Sequence, residues 1–339
     1  MADPERDIEA VLDESGPEYS SFRFERPTAG HQGEVFLVTL RVGGEQYEVV
    51  VKFQAGDPDF ALEPFLHDFV ADRTDLPVPR ILVFNNDPDL DVDPYFVTER
   101  IRGENLAESM GDLDRETREN VIRHAGSILG DMHAGIQFEG FGRLALDDEN
   151  GRLIVDEFSW DWGQFFADMV DGYIDRLAET PFEDLQATAR EALDGAATVV
   201  ESTGPPRLVH DDFRPANVLF DPTEAEPITS VLDWQFALAA DPEYHVARTE
   251  FLFIDPAFQD AKTRQRLREC LYEGYREHLA FESENGFEER RAIYYVATLL
   301  WRMLGFEAAF ADAGELAQGR AEVRFRQQFD QLVAGLPEM

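Results

Sequence analysis

The stretch 208-LVHDDFRPANVLFD-221 places two aspartates, an arginine and an asparagine between two short apolar runs. The apolar runs predict buried strands, joined by a loop that contains a proline. Asp212 and Asn217 lie in this loop, and a further apolar strand, 231-VLDWQ-235, ends near Asp233. Two carboxylates and an amide oxygen at neighbouring strand ends can hold Mg²⁺ and leave one carboxylate beside a substrate hydroxyl. The stretch therefore predicts a catalytic site.

Acidic residues dominate the charge of the chain. The sequence has 69 Asp plus Glu against 30 Lys plus Arg, which gives a formal net charge of −39, and its only lysines are Lys52 and Lys262. The excess is spread along the chain, which favours a protein kept soluble at very high salt, as in a haloarchaeal cytoplasm, over an acidic block that recruits a basic partner. We expect no nucleic-acid binding, since phosphate contacts need a basic surface.

Length, targeting signals and cysteine content narrow the class of protein further. A chain of 339 residues with 44% hydrophobic composition predicts two domains or lobes. Residues 1–14 are acidic and lack an apolar segment, so we expect no signal peptide. We also expect no membrane span, because no run of about 18 uncharged apolar residues occurs. The single cysteine, Cys270, cannot form an intrachain disulfide and favours the cytoplasm. The expected state is a monomer or a homodimer.

Periodicity divides the chain into a sheet-rich first part and a helical second part. Residues 35–42 and 46–53 predict a hairpin, because runs rich in β-branched residues flank Gly43-Gly44. Residues 59–73 have the spacing of a helix with one apolar face. Two more strands are predicted at 80–84 and 95–99. Later helical patterns occur at 114–135, 160–179, 183–202, 260–281, 286–311 and 314–334.

The loop motif resembles that of the aminoglycoside phosphotransferase family of small-molecule kinases. That family typically has H-G-D-x-x-x-x-N, then I-D-W, then G-D-P. The counterparts here are His210-Asp211-Asp212 through Asn217, Leu232-Asp233-Trp234 and Ala240-Asp241-Pro242. The resemblance covers about residues 20–250 and implies an α+β, bilobal protein-kinase-like fold. Its parts would be a small antiparallel-sheet N-lobe at 1–98, a hinge at 99–104 and a larger, mainly helical C-lobe at 105–339.

The resemblance implies a role for each polar residue of the loop. Asp212 would accept or orient the proton of the attacking hydroxyl. Asn217 and Asp233 would ligate Mg²⁺ beside ATP. Arg214 lies where protein kinases carry a lysine near the γ-phosphate. A guanidinium at that place suits a transition state whose negative charge is spread over three oxygens.

The small lobe carries an independent part of the same resemblance. A kinase-like ATP site needs a strand lysine that pairs with the α- and β-phosphates, and a helix glutamate that holds it. Lys52 lies on the second strand of the predicted hairpin. Lysine's compact ammonium suits a phosphate pocket, so its placement in a lysine-poor chain favours this role over surface solubility. Glu63 is the predicted partner, with Asp59 as the alternative.

Two further segments are predicted to contact the nucleotide. The run 28-TAGHQGEV-35 follows G-x-G-x-x-G-x-V except at Thr28, so Gly30 and Gly33 would let the backbone approach the phosphates. The run 96-FVTERIRGENL-106 resembles the hinge of the family. The backbone groups of Glu99 and Ile101 are therefore the predicted adenine contacts.

Some features depart from the family pattern or stay open. Asp211 replaces the usual glycine, and His245 stands where an aspartate often follows the D-P pair. No A-P-E segment or evident activation loop follows Asp233, which argues against a protein kinase. The aromatic segment 158-FSWDWGQFF-166 fits core packing, and lining of the acceptor pocket is the alternative.

The predicted function is ATP- and Mg²⁺-dependent transfer of the γ-phosphate to a hydroxyl of a small molecule, such as an aminoglycoside, an amino sugar, a choline-like alcohol or a nucleoside. A nucleotide-binding regulator without transfer activity is one alternative. The presence of Lys52, Asp212, Asn217 and Asp233 together argues against it. Transfer of AMP on the same fold is the other alternative.

The net charge generates a prediction about salt. In dilute buffer the carboxylates repel one another, and added salt screens this repulsion. We expect the melting temperature to rise steeply from low to molar KCl, as measured by circular dichroism during heating. A melting temperature that does not change across this range would contradict the halophile interpretation.

Overall fold

The N-terminal part of the chain forms a five-stranded antiparallel sheet. Its strands are β1 Ser21–Glu25, β2 Glu34–Val42, β3 Glu45–Phe53, β4 Ile81–Asn85 and β5 Tyr95–Glu99. They lie side by side in the order β1-β2-β3-β5-β4. The computed structural model describes residues 3–16, 18–27, 34–54, 60–87, 92–147, 149–255, 260–281 and 286–336.

The predicted hairpin is confirmed as β2 and β3. Val42 pairs with Glu45, so Gly43 and Gly44 form a two-residue turn. Both glycines have positive φ, +60° and +91°. A turn with two left-handed residues matches the twist of antiparallel strands and strongly favours glycine. β1 pairs with β2 on the other side, so the hairpin supplies the second and third strands of the lobe.

The core of this sheet is closed by a helix that the sequence did not reveal. α1 Pro4–Ser15 begins at an N-cap, Asp3, and packs its apolar side on the sheet. Ile8 and Val11 of this helix are buried in the same cluster as Phe36 of β2. The helix covers the face of the sheet that alternation along β2 makes apolar.

The rest of the chain is mainly helical, with short strands between the helices. The helices are α2 Leu62–Ala71, α3 Leu106–Ser109, α4 Arg115–Gly135, α5 Trp162–Arg176, α6 Gln186–Ala192, α7 Ala196–Val199, α8 Pro242–Phe253, α9 Ala261–Tyr275, α10 Phe287–Leu304, α11 Phe306–Ala309 and α12 Glu315–Ala334. The strands are β6 Glu104–Asn105, β7 Phe141–Leu146, β8 Leu153–Ser159, β9 Arg207–Val209, β10 Val218–Phe220, β11 Ile228–Val231 and β12 Leu238–Ala240. They form two sheets, β11-β10-β6 and β8-β7-β12-β9. Among the described helices, none has the length and apolar content needed to cross a bilayer.

The chain folds into two compact units, each built from separate stretches of sequence. The first contains Met1–His124, Ala145–Ile154 and Asp212–Phe236, and the second contains Ala125–Leu144, Val155–Asp211 and Ala237–Met339. The five-stranded sheet and the stretch from Asp212 to Asp233 thus belong to one unit. The division into lobes at residues 99–104 stays a prediction.

Glycines break two of the predicted helices. The pattern at 183–202 predicted one helix, but α6 ends at Ala192 and α7 begins at Ala196. Gly195 between them has a φ of +85°, a left-handed conformation that a helix cannot contain. The pattern at 286–311 is likewise divided, because α10 ends at Leu304 and Gly305 separates it from α11.

α8 was missed because it is buried all round. Each residue from Glu243 to Phe253 is buried, including Arg248 and Glu250. A helix with no exposed side has no polar face, so its sequence shows no amphipathic period. Its start is nevertheless marked in the sequence, since Asp241 caps it by accepting from the backbone N–H of Glu243 at 2.9 Å.

Three buried histidines are held neutral by their surroundings. Burial lowers the pKa of His67 to about 4 and the pKa of His133 to about 3. Burial also holds the pKa of His245 well below its ordinary value. His67 lies on α2, whereas His133 and His245 contact each other in the second unit, with 3.0 Å between Nε2 and Nδ1.

His67 generates a prediction about acid stability. An unfolded histidine binds its proton near pH 6.5, whereas folded His67 stays neutral down to about pH 4, so lowering the pH through this window favours unfolding. The contribution is about 1.4 kcal/mol per pH unit for each such histidine. We expect His67→Gln to be less stable than the wild type at pH 7, with a deficit that shrinks as the pH falls towards 4.5. Urea unfolding at constant KCl measures the free energy of unfolding of the wild type and of the variant at each pH.

A deficit of His67→Gln that stays constant or grows on acidification would contradict the assignment of His67 as a buried neutral histidine. The pH dependence of wild-type stability alone would not test His67. Burial raises the pKa of Asp241 to about 6, so protonation of Asp241 stabilises the folded state as the pH falls and opposes the effect of His67.

Candidate active site

The antiparallel pair β10 and β11 brings the two predicted metal ligands to one edge. Val218 pairs with Val231, so Asn217 precedes one strand at the same end at which Asp233 follows the other. The backbone N–H of Leu232 donates to the carbonyl of Asn217 at 2.9 Å. Asp233 has a φ of +67°, a left-handed conformation that aspartate adopts more readily than most residues. The predicted proximity of these strand ends is therefore observed.

Asp212 is buried and held by its neighbours in the loop. Its exposed fraction is 2%. The amide nitrogen of Asn217 donates to the carbonyl oxygen of Asp212 at 3.0 Å and to its carboxylate Oδ2 at 2.9 Å. The Nε of Arg214 lies 2.8 Å from Oδ1. Because the amide nitrogen of Asn217 points at Asp212, its amide oxygen is the atom that can bind a cation.

Lys52 joins the five-stranded sheet to α2 and to the chain after β11. Its ammonium lies 2.6 Å from Oε2 of Glu63 on α2 and 3.0 Å from Oδ1 of Asp233. Burial opposes the charge of Lys52, but the two carboxylates outweigh burial and raise its pKa above the ordinary value. Lys52 is therefore charged, and it connects β3 to the helix that follows it and to Asp233, which is 181 residues away in sequence. We name Lys52, Glu63 and Asp233 the lysine cluster.

The structure clarifies two details of the lysine assignment. Because β1 precedes the hairpin, Lys52 lies on the third strand of the five-stranded sheet. Glu63 in the first turn of α2 is its observed partner. The alternative partner, Asp59, lies outside the described residues.

His67 supports the lysine cluster and was not singled out from the sequence. It follows Glu63 by four residues on α2, and its Nε2 lies 4.0 Å from Oε1 of that glutamate. Its Nδ1 lies 2.9 Å from the carbonyl oxygen of Pro79, which can only accept a hydrogen bond, so Nδ1 is the donor. The carbonyl of Pro77 accepts from the backbone N–H of Val231 at 2.8 Å. The segment 77–79 therefore ties both α2 and β11, the elements that carry Glu63 and lead to Asp233.

The other predicted nucleotide contacts are only partly described. Gly30 and Gly33 lie outside the described residues. Glu99 ends β5, and its backbone N–H donates to the carbonyl of Arg80 at 3.2 Å. Ile101 lies half-buried in the loop between β5 and β6. The roles of these four residues stay predictions.

The aromatic segment divides into a buried part and an exposed part. Trp162 and Phe166 are buried and contact Tyr294, so core packing holds for them. Phe158 and Trp160 are exposed and stack edge to face at 4.6 Å between centroids. Lining of an acceptor pocket stays a prediction for this exposed pair.

Metal binding at this site would rest on few protein ligands. Within the described parts of the chain, no group of three or more His, Cys, Asp or Glu side chains is arranged to hold a metal ion. Asn217 and Asp233 offer one amide oxygen and one carboxylate. Mg²⁺ is commonly bound by one or two carboxylates together with substrate phosphates, so this donor set suits it.

Three solved structures illustrate what the fold is similar to. A putative aminoglycoside phosphotransferase from Ralstonia eutropha has a TM-score of 0.64 at 15% identity, with 98% of this chain and 99% of that chain covered. A putative fructosamine-3-kinase from Haemophilus somnus has 0.59 at 14%, covering 97% of each chain. An aminoglycoside phosphotransferase from Streptomyces rimosus, solved with ADP and streptomycin, has 0.52 at 17%, covering 88% and 98%. These likenesses confirm the α+β protein-kinase-like fold.

The family is shown by the sequence itself. No protein of curated function matches the chain significantly. The model of the phosphotransferase enzyme family matches residues 23–281, which include the lysine cluster and the loop from Asp212 to Asn217. This match covers more than half of the 339 residues. The chain therefore belongs to the phosphotransferase enzyme family.

Proposed function

We propose that the protein transfers the γ-phosphate of ATP, with Mg²⁺, to a hydroxyl of a small molecule. The observation that carries this proposal is the lysine cluster, in which a buried Lys52 contacts both Glu63 and Asp233. One of only two lysines in the chain has this position. A related fold with ADP bound supports the choice of nucleotide.

Nucleotide binding would use the sheet of the first unit. Lys52 would pair with the α- and β-phosphates, and Glu63 would keep its ammonium in place. Gly30 and Gly33 would allow backbone N–H groups close to the phosphates. At Glu99 the backbone N–H already donates to Arg80, so an adenine contact there would use the carbonyl oxygen. Ile101 would contribute its backbone N–H.

The donor set at the strand ends fits Mg²⁺. Asn217 and Asp233 would hold the ion through oxygen atoms, as hard cations require. When bound, the ion would neutralise negative charge on the phosphates. Asp233 also contacts Lys52 at 3.0 Å, so the same carboxylate would face both cations.

Asp212 would orient and deprotonate the acceptor. Its carboxylate is held by Asn217 and Arg214, so its position is fixed before the acceptor arrives. The proton of the attacking hydroxyl would pass to Asp212 as the oxygen bonds to the γ-phosphorus and the bond to the β-phosphate oxygen breaks. The side chain of Arg214 is 45% exposed, so it could turn towards the transferring group and stabilise its charge.

The acceptor class is inferred from chemistry and from the relatives. A carboxylate beside the transferred phosphate suits a hydroxyl acceptor. The putative aminoglycoside phosphotransferase and the putative fructosamine-3-kinase are both named for small-molecule acceptors. Aminoglycosides, amino sugars, choline-like alcohols and nucleosides are the acceptors to test. A panel of these compounds, assayed for ATP consumption at molar KCl with mass spectrometry of the products, separates an added phosphate from an added AMP. An ATP-binding chain that modifies none of them would favour the regulator alternative.

Asp212 and Asp233 should give different kinetic losses. Asp212→Asn should lower kcat by about 10²- to 10⁴-fold with little change in ATP affinity, because a general base acts only in the chemical step. Asp233→Asn should weaken both, since this carboxylate is proposed to act with Mg²⁺ and the nucleotide. Turnover and nucleotide titration on both variants provide the measurement. Wild-type turnover in Asp212→Asn would show that the base is assigned wrongly.

Lys52 should be the lysine on which ATP binding depends. Lys52→Ala should weaken ATP affinity by about tenfold or more, because a buried partner of the phosphates is lost. Lys52→Arg should be partly tolerated, since a planar guanidinium replaces a compact ammonium. Glu63→Gln should cause a milder loss, and the double variant should lose less than the sum of the two. Isothermal titration with the ATP analogue AMP-PNP measures these affinities.

The chain supplies its own control for this experiment. Lys262 is the other lysine and lies exposed on α9. Lys262→Ala removes the same charge from the protein but should leave ATP affinity unchanged. Equal effects of the two lysine substitutions would mean that net charge, and not the lysine cluster, sets the affinity.

A further inference from the structure

Asp211 immediately precedes Asp212 and has a backbone conformation that favours glycine. Its φ is +60°, in the left-handed region. This explains why glycine is usual at this position in the family pattern. Aspartate adopts the left-handed region more readily than most residues, but it still does so at a cost. Because Asp211 adopts this conformation next to the proposed base, Asp212, other interactions must offset its free-energy cost.

The side chain of Asp211 supplies that interaction through α8. Asp211 is buried, with an exposed fraction of 5%. The hydroxyl of Tyr244 donates to its Oδ1 at 2.6 Å. The Nε of Arg248 donates to the backbone carbonyl of Asp211 at 2.5 Å and lies 3.2 Å from Oδ1. Tyr244 and Arg248 are four residues apart and therefore project from the same side of the helix.

Arg248 is itself built into the interior. Its exposed fraction is 1%, and its guanidinium lies 4.2 Å from the ring centroid of Trp301. A buried guanidinium without an acidic partner is strongly destabilising, so Arg248 and Asp211 require each other. The pair therefore fixes both the backbone and the side chain of Asp211.

The chain departs from the family pattern at two positions: it has an acid at position 211 and lacks one at position 245. His245 stands where the family pattern often has an aspartate, and it is fully buried beside His133. His245 and Arg248 are both on α8, one turn apart. In this chain α8 supplies the cation, Arg248, and the loop supplies the acid, Asp211.

We propose that Asp211 is a positioning residue, whose contacts with Tyr244 and Arg248 fix the chain at the point where it enters Asp212. Asp211, paired with Arg248, would thus take the place of two residues of the family pattern, the glycine at position 211 and the aspartate at position 245. This inference rests on the proposed function only where it concerns turnover. The conformation of the loop can be measured without any acceptor.

Hydrogen exchange of the peptide that covers residues 210–217 tests the positioning directly. Asp211→Gly removes the anchor but suits the backbone, so exchange of this peptide should become at least about tenfold faster, with little change in peptides from the β2–β3 hairpin. The double variant Asp211→Gly with His245→Asp restores the family pattern, and exchange should return towards the wild type. Unchanged exchange in Asp211→Gly, or a double variant as fast as the single one, would overturn the proposal.

Kinetics then separate positioning from general destabilisation. Asp211→Gly should lower kcat by about tenfold to a hundredfold while the affinity for ATP stays within about twofold, because a small misplacement of a reacting group reduces rate and not nucleotide binding. Asp211→Asn keeps the backbone preference and should lose less. Equal losses of ATP affinity and kcat would overturn the positioning role in favour of a structural one.

Failure of the proposed base, Asp212, and failure of the positioning role of Asp211 give different results. If Asp212→Asn retains turnover, the proposed base is wrong whatever position 211 does. If Asp212→Asn loses kcat but Asp211→Gly does not, only the positioning role fails. If Asp211→Gly fails to fold, Arg248→Lys provides the second test, because it keeps the charge but not the forked geometry and should also speed exchange of residues 210–217.

Discussion

The ammonium of Lys52, buried between the carboxylates of Glu63 and Asp233, is the interaction on which the site depends. Taking a charge out of water is costly unless partners meet it closely, so the three groups must stay together. They come from β3, from α2 and from the chain just after β11. The hydrophobic core of the sheet positions the strand, His67 ties the helix to Pro79, and the β10–β11 pair positions the third group. Much of the first unit therefore serves one set of interactions.

Basic side chains are scarce in this chain, and several of them are buried beside acids. Glu250 of α8 has no exposed surface and contacts Arg268, Arg291 and Tyr272. Arg248 is buried on the same helix. Salt screens charges at the surface far more than charges in the interior. Added salt should therefore weaken the repulsion between surface carboxylates while it leaves these internal pairs largely intact.

The sequence indicated those residues of the candidate site that belong to a rare residue type or to a motif. Lys52 was visible because lysine is almost absent elsewhere, and Asp233 because it lies at the end of an apolar strand in a motif that resembles I-D-W. The contacts of His67 with Pro79 and of Asp211 with α8 join residues whose separation in sequence carries no periodic signal. α8 itself was missed, because a helix buried on all sides has no polar face to produce a period. The features that the sequence could not show are therefore mostly tertiary contacts.

The short segment with Pro77 and Pro79 has a consequence for ligand affinity. Its two carbonyls are used by β11 and by His67 of α2, and each proline ring fixes one backbone dihedral. The elements on either side of Lys52 are therefore joined by a connector with few internal degrees of freedom. A protein that populates its competent arrangement before binding loses no affinity to an unfavourable conformational equilibrium. In this protein, an outward swing of α2 would have to break the hydrogen bonds of that connector, so α2 is held in place before any ligand binds.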